Sequence, residues 1–132
     1  MTISTRTRRI RRVALVVGGI AAAGIVALPG VANADTYLAQ RLSPGGSQCA
    51  SQHANYQART EGTASNSGAK FRVYKDSVLL LASPTPTSAG LSAEFRTSWG
   101  NFPGPGYYTI CADNKQATNT FITLRVRTDA EI

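Results

Sequence analysis

The chain has 132 residues and a formal net charge of +7, but this charge is unevenly distributed. Five of its 14 basic residues and none of its seven acidic residues lie in the first 34 positions, so the remainder carries nine basic and seven acidic residues, a net charge of +2. Along this remainder the two signs alternate without forming the basic patch that nucleic-acid binding requires, so we expect no nucleic-acid partner.

Residues 1–34 have the features of a secretory signal peptide. A basic segment with five arginines precedes an uncharged apolar stretch at 13–28, and Ala32-Asn33-Ala34 supplies the small-x-small cleavage pattern. The apolar stretch is shorter than the roughly 20 residues that a transmembrane helix needs. We therefore expect a secreted, extracellular bacterial protein that begins at Asp35 and has no membrane span after cleavage. Arg8-Arg9 permits the twin-arginine route, although the general export route is favoured.

The 98 residues at 35–132 fit a single domain. They contain both cysteines, Cys49 and Cys111, and an even count in an oxidising compartment predicts one disulfide. We expect this disulfide to fasten together the two layers of the fold. The chain-entropy model assigns about 4 kcal/mol to a loop of this length.

Several segments alternate apolar and polar residues with a period of two, which is typical of strands. No window in this part of the chain has a helical stripe. The segment at 78–82 is apolar throughout, which predicts a strand buried on both faces, and its short separation from the preceding run predicts a hairpin. In chain order, the predicted strands are 37–42 (an edge strand), 54–61, 70–74, Val78–Ala82, 91–98 and 120–127.

Segments rich in glycine, proline, serine and asparagine separate these runs. Six or seven short strands with regular turns favour an all-β fold, an antiparallel two-sheet sandwich of about seven strands, and spacing alone leaves a small barrel open.

The nine residues GYYTICADN at 106–114 resemble the strand-F motif of immunoglobulin-like domains, Gly-x-Tyr-x-Cys-x-Ala. Ile110 is one residue too many in that pattern, and Trp99 precedes the second cysteine, whereas the family's core tryptophan follows the first. Residues 71–76 together with 106–110 are also similar to bacterial prepeptidase C-terminal domains. Both resemblances imply a β-sandwich, and neither implies a particular function.

Residue types that support catalysis are sparse. His53 is the single histidine and no Gly-x-Ser-x-Gly elbow accompanies it, so we interpret it as a solvent-facing strand residue. One histidine and two paired cysteines do not fill a zinc site, and the acidic residues show no glycosidase-like or calcium-binding spacing. We expect no metal, no cofactor and no enzymatic activity, with a minimal enzyme using His53 as the least favoured option.

Four aromatic residues around the loop 100–106 are the best candidate ligand contacts: Trp99, Phe102, Tyr107 and Tyr108. They either fill the core or form an exposed surface that binds a sugar or a protein. Tyr107 and Tyr108 should point to opposite faces, so at least one leaves the core. We therefore expect a binding module for an extracellular protein or a cell-wall polysaccharide.

The alternative is an inhibitor of extracellular proteases or other hydrolases. It would act through the loop 83–90, where Pro84 and Pro86 favour a stiff, extended course. As an ordinary connection between sheets, the same loop would need no function.

Overall fold

The computed structural model describes residues 34–132. The arginine segment, the apolar stretch and all of the cleavage motif except Ala34 lie outside the described residues. Within them the chain forms eight strands and two short 3-10 turns, Thr97–Trp99 and Asp129–Glu131. The strands are β1 Asp35–Leu42, β2 Ser47–Ala54, β3 Gln57–Ala64, β4 Lys70–Lys75, β5 Val78–Ala82, β6 Gly90–Arg96, β7 Gly106–Asp113 and β8 Thr120–Thr128.

The eight strands form two antiparallel sheets of four strands each. Sheet I has the order β1-β8-β3-β6, and sheet II has the order β2-β7-β4-β5. The predicted all-β sandwich is confirmed, with eight strands where about seven were expected.

The core lies between the sheets because each strand turns alternate residues inward. Strand β8 is the clearest case, since its even-numbered residues from Thr120 to Thr128 are buried and the residues between them are not. Gly62 on β3 marks a close approach of the layers, because a Cβ atom there would lie 2.7 Å from a ring carbon of Phe71. The largest buried apolar side chains are Tyr108, Phe71, Ile110, Ile122, Leu124, Val73 and Val126.

Residues 54 and 57–61 lie in strands as predicted, but the prediction of one continuous strand at 54–61 is wrong, because the chain changes sheets at residues 55 and 56. Strand β2 ends at Ala54 in sheet II, and β3 begins at Gln57 in sheet I. The Asp129 carboxylate stabilises this passage between the sheets. It accepts hydrogen bonds from the main-chain N–H groups of Asn55 (2.9 Å), Tyr56 (2.9 Å) and Gln57 (3.4 Å). Alternation continues through the crossing, so the sequence pattern does not reveal it.

Strand β5 does not have the burial that its composition predicts. The hairpin with β4 is confirmed, and its two-residue turn, Asp76 and Ser77, has positive φ angles of 48° and 72°. However, β5 is the edge strand of sheet II, so Val78 and Leu79 are 64% and 51% exposed. The expectation of burial on both faces is wrong, because an edge strand lacks a second neighbour.

The disulfide Cys49–Cys111 is confirmed, but its position differs from the expectation. Cys49 on β2 and Cys111 on β7 face each other on neighbouring strands of sheet II, with Cα atoms 4.0 Å apart. The bond therefore crosslinks two strands of one sheet on its outer face. The prediction that it fastens the two layers is wrong, and the layers are held by the apolar core.

The loop 83–90 is anchored rather than extended. The Ser83 N–H donates to the Phe71 carbonyl (2.8 Å), and Ser88 exchanges two main-chain hydrogen bonds with Ala69 (3.0 Å each). Between these anchors the chain turns, and the Ser88 hydroxyl donates to the Thr85 carbonyl (3.2 Å). The expected extended course is therefore wrong.

Candidate binding face on sheet I

The outward side chains of sheet I form an ordered array, because strand register places them in rows across the four strands. Two rows carry most of the charge, the next contains only small residues, and the last pairs an arginine with a phenylalanine. In the strand order β1, β8, β3, β6, the first row is Asp35, Arg127, Arg59 and Glu94, the second Tyr37, Arg125, Glu61 and Ser92, the third Ala39, Thr123, Thr63 and Gly90, and the fourth, on β1 and β8 alone, Arg41 and Phe121.

A groove of about 630 Å³ follows the second and third rows. It runs from Tyr37 on one edge strand to Gly90 and Ser92 on the other, so it crosses the sheet. Three strand spacings give it a length of about 14 Å. Its floor is low because the third row is small, and at Gly90 a Cβ atom would lie 2.7 Å from the Gly62 carbonyl oxygen.

Ion pairs fix the polar side chains beside the groove. Asp35 accepts two hydrogen bonds from Arg125, at 3.0 Å from Nε and 2.6 Å from Nη2. This bond lowers the pKa of the Asp35 carboxyl and raises that of the Arg125 guanidinium. The Glu61 carboxylate pairs with two arginines: its Oε2 lies 2.9 Å from Arg59 Nε, and its Oε1 lies 3.3 Å from Arg127 Nη2. The face thus presents hydrogen-bonding groups in fixed orientations.

Exposed aromatic rings accompany these polar groups. Tyr37 is 57% exposed, and its ring centroid lies 6.0 Å from the Arg125 guanidinium carbon. Trp99 follows β6, which ends at Arg96 rather than at residue 98 as predicted, and it is 61% exposed. The Arg96 guanidinium carbon lies 5.2 Å from the Trp99 ring centroid, which keeps the indole at the corner of this face. Phe121, on β8, is the third exposed aromatic ring on the outer face of sheet I.

The four predicted contact residues do not form one cluster. Tyr108 is fully buried, its hydroxyl donates to the Gly104 carbonyl (2.7 Å), and Phe102 stacks on its ring at 5.6 Å. Tyr107 points outward from sheet II, so the prediction that the two tyrosines lie on opposite faces is confirmed. Of the four, only Trp99 adjoins the outer face of sheet I, which we call the groove face.

His53 is exposed, as predicted, on the outer face of sheet II. Its ring centroid lies 5.0 Å from that of Tyr107 in an edge-to-face contact. Over residues 34–132, no group of histidine, cysteine and acidic residues is arranged to hold a metal ion. No helix in this same range is long and apolar enough to cross a membrane.

Sequence reasoning missed the groove residues Tyr37, Glu61, Ser92 and Arg125. Alternation already placed Glu61 and Arg125 on the polar sides of their predicted strands. Their adjacency follows only from the pairing of β3 with β8, two strands that are far apart in the chain.

Comparison with known proteins finds neither a family model nor a curated protein that matches the chain. The function of the chain is therefore inferred from the geometry of its surfaces.

Proposed function

We propose that this chain is a secreted, non-catalytic binding module that holds an extended cell-wall polysaccharide on the outer face of sheet I. The observation that carries the proposal is the groove, with an exposed tyrosine at one end and ion-paired arginine and glutamate side chains along it. The predicted secretion and the single compact β-domain are consistent with this role.

The residue types match the chemistry of a sugar chain. A sugar ring presents apolar C–H groups that pack on an aromatic face, and hydroxyl groups that both donate and accept hydrogen bonds. Tyr37 offers the aromatic face, Arg125 offers donors, and Glu61 offers acceptors. Because ion pairs already hold Arg125 and Glu61, little side-chain freedom is lost when a ligand binds.

The shape favours a polymer over a small molecule. Small-molecule sites are usually concave pockets that enclose most of the ligand. This groove instead reaches from one edge strand to the other. A chain lying in it continues past Tyr37 on one side and Ser92 on the other.

The lowered pKa of Asp35 supports binding rather than hydrolysis. A general acid needs a carboxyl group whose pKa is raised towards neutrality. Arg125 instead lowers the pKa of Asp35, and Glu61 is paired with Arg59 and Arg127. The contact with Arg125 stabilises the charged form of Asp35.

The direct test is retention of the protein by insoluble polysaccharides and by isolated bacterial cell walls. Tyr37→Ala removes the groove's aromatic face, and we expect a loss of about 1.5 kcal/mol, or roughly tenfold in affinity. Tyr107→Ala is a matched control, because this tyrosine is 59% exposed on the opposite sheet. Equal retention of both variants and the unchanged protein would reject this use of the groove.

A second variant tests the groove by filling it rather than by removing its tyrosine. Thr123 lies in the small third row and points outward, so Thr123→Trp fills the groove while leaving the core intact. We expect this variant to fold and to lose retention. Full retention by a folded Thr123→Trp protein would place the ligand elsewhere.

Inhibition of extracellular proteases or other hydrolases through the loop 83–90 is the second candidate. Its supporting observation is the pair of main-chain anchors at Ser83 and Ser88, which limit the freedom of the exposed residues between them. Incubation with secreted serine proteases tests this function. An absence of inhibition at micromolar excess would remove it.

A further inference from the structure

We propose that the polymer held by the groove face is anionic and bears carboxylate or phosphate groups. This inference rests on the proposed function and specifies its ligand class. It is carried by the distribution of charge over the two sides of the sandwich.

The whole net charge of the described domain lies on the groove face. Four of the nine basic residues and four of the seven acidic residues lie elsewhere, where they cancel. The outer face of sheet I has five basic residues and three acidic ones, an excess of +2. They are Arg41, Arg59, Arg96, Arg125 and Arg127, with Asp35, Glu61 and Glu94.

The basic residues on this face are all arginines, and all three lysines of the chain lie elsewhere. Guanidinium presents several N–H donors in a planar fork that matches a carboxylate or a phosphate with two parallel hydrogen bonds. Lysine provides only a point charge. The face therefore has the residue type suited to oriented recognition of oxyanions.

Donor capacity remains after the internal ion pairs are formed. Asp35, Glu61 and Glu94 are shared among four of the arginines, so positive charge exceeds negative charge within the ion-paired group. Arg41 has no ion-pair partner among residues 34–132.

The Arg41 guanidinium, which lies outside the ion-paired group, is well placed to contact a polymer in the groove. Arg125 borders the small third row on one side, and Arg41 borders it on the other. Each lies one row away, which is about 7 Å along a strand. An anionic group above Thr123 is therefore flanked by both guanidinium groups, with the Phe121 ring beside Arg41.

A sparsely charged polysaccharide fits this face better than a nucleic acid. Nucleic-acid affinity depends on neutralising many closely spaced phosphates. Here three carboxylates are interleaved with the arginines and the excess is only +2. Single-stranded DNA is therefore a competitor in the test rather than the proposed ligand.

The test compares partly methyl-esterified polygalacturonate, the same polymer after reduction of its carboxyl groups, and a polysaccharide that carries phosphate on a minority of its sugars, by affinity electrophoresis at 50 and 200 mM salt. We expect the two anionic polymers to bind at least tenfold more tightly than the reduced one, and to weaken at the higher salt concentration. The relative strength of the two distinguishes carboxylate from phosphate as the preferred group.

Two variants assign the effect to this face. Arg41→Gln removes one charge outside the ion-paired group, and we expect it to weaken binding of the anionic polymers by threefold to tenfold. Lys115→Gln removes the same charge from an exposed residue off this face and should change nothing.

Each failure has a separate meaning. Equal binding of the reduced and anionic polymers would overturn the anionic ligand while keeping the proposed function. Failure to bind any of the three polymers would overturn the proposed function as well. Tighter binding of single-stranded DNA than of every polymer would overturn the polysaccharide assignment.

Discussion

Removal of one hydroxyl group, in Tyr108→Phe, tests how the structure assigns the neighbouring tyrosines. Tyr108 is fully buried, and its hydroxyl donates to the Gly104 carbonyl at 2.7 Å. The Tyr107 side chain is 59% exposed and lies against the His53 ring. The adjacent residues are therefore expected to respond differently to the same change.

The expected magnitudes follow from these contacts. Loss of one hydrogen bond in Tyr108→Phe should lower the free energy of unfolding by about 1 kcal/mol. Tyr108→Ala also removes the ring that packs at 5.6 Å on Phe102 and at 5.8 Å on Phe95, which should cost about 4 kcal/mol. Tyr107→Phe should change stability by less than about 0.5 kcal/mol.

Equilibrium urea unfolding monitored by circular dichroism measures these differences. With a slope of about 1–3 kcal/mol per molar urea, Tyr108→Phe should lower the midpoint by roughly 0.3–1 M. The reasoning is refuted if Tyr108→Phe and Tyr107→Phe unfold at the same midpoint, or if Tyr107→Phe is the less stable variant.

Replacing both Cys49 and Cys111 by serine should lower the free energy of unfolding by about 4 kcal/mol, because the bond closes a long loop and its sulfurs lie outside the core; a change below 1 kcal/mol in urea would contradict this. Asp129→Ala should cost about 2 kcal/mol by removing the acceptor for three main-chain N–H groups at the sheet crossing, whereas Asp129→Asn, which tolerates the positive φ of 55°, should cost less. Burial raises the pKa of Tyr108 to about 12 from 10.0, so the folded chain retains this proton more firmly, and stability should fall as the pH rises from about 10 to 12; ionisation of every tyrosine near pH 10 in the folded protein would count against this burial. The main-chain N–H of Tyr107 lowers the pKa of Asp76, so the stability from this contact is present above pH 3.8 and lost as the pH falls below it; Asp76→Asn should flatten this acid dependence in thermal melts, and an unchanged profile would contradict the contact.

Strands with large inward residues could be predicted from sequence, and β8 is the clearest example. Strand β2 was missed because its inward positions hold small or polar residues, among them Ala50 and Gln52, which give little hydrophobic contrast. Strand β5 has the composition of a central strand but lies at an edge. Position within a sheet depends on long-range pairing, so composition alone misjudged its burial.

The candidate site shows the same limit. The alternation at 106–108 predicted that one tyrosine leaves the core, but only the packing of Phe102 and Phe95 decides that Tyr108 is the inner one. The groove requires the register of three strand pairs, which brings Tyr37, Glu61 and Ser92 together from distant parts of the chain. No single segment carries that information.

The most direct measurement is an NMR titration of the ¹⁵N-labelled protein with oligosaccharides from the polymer that it retains. Binding on the outer face of sheet I predicts chemical-shift changes concentrated at Glu61, Thr63, Thr123 and Arg125, with little change at His53. Changes confined to sheet II or to the loop 83–90, with those four residues unaffected, would contradict the sugar-binding role of this face.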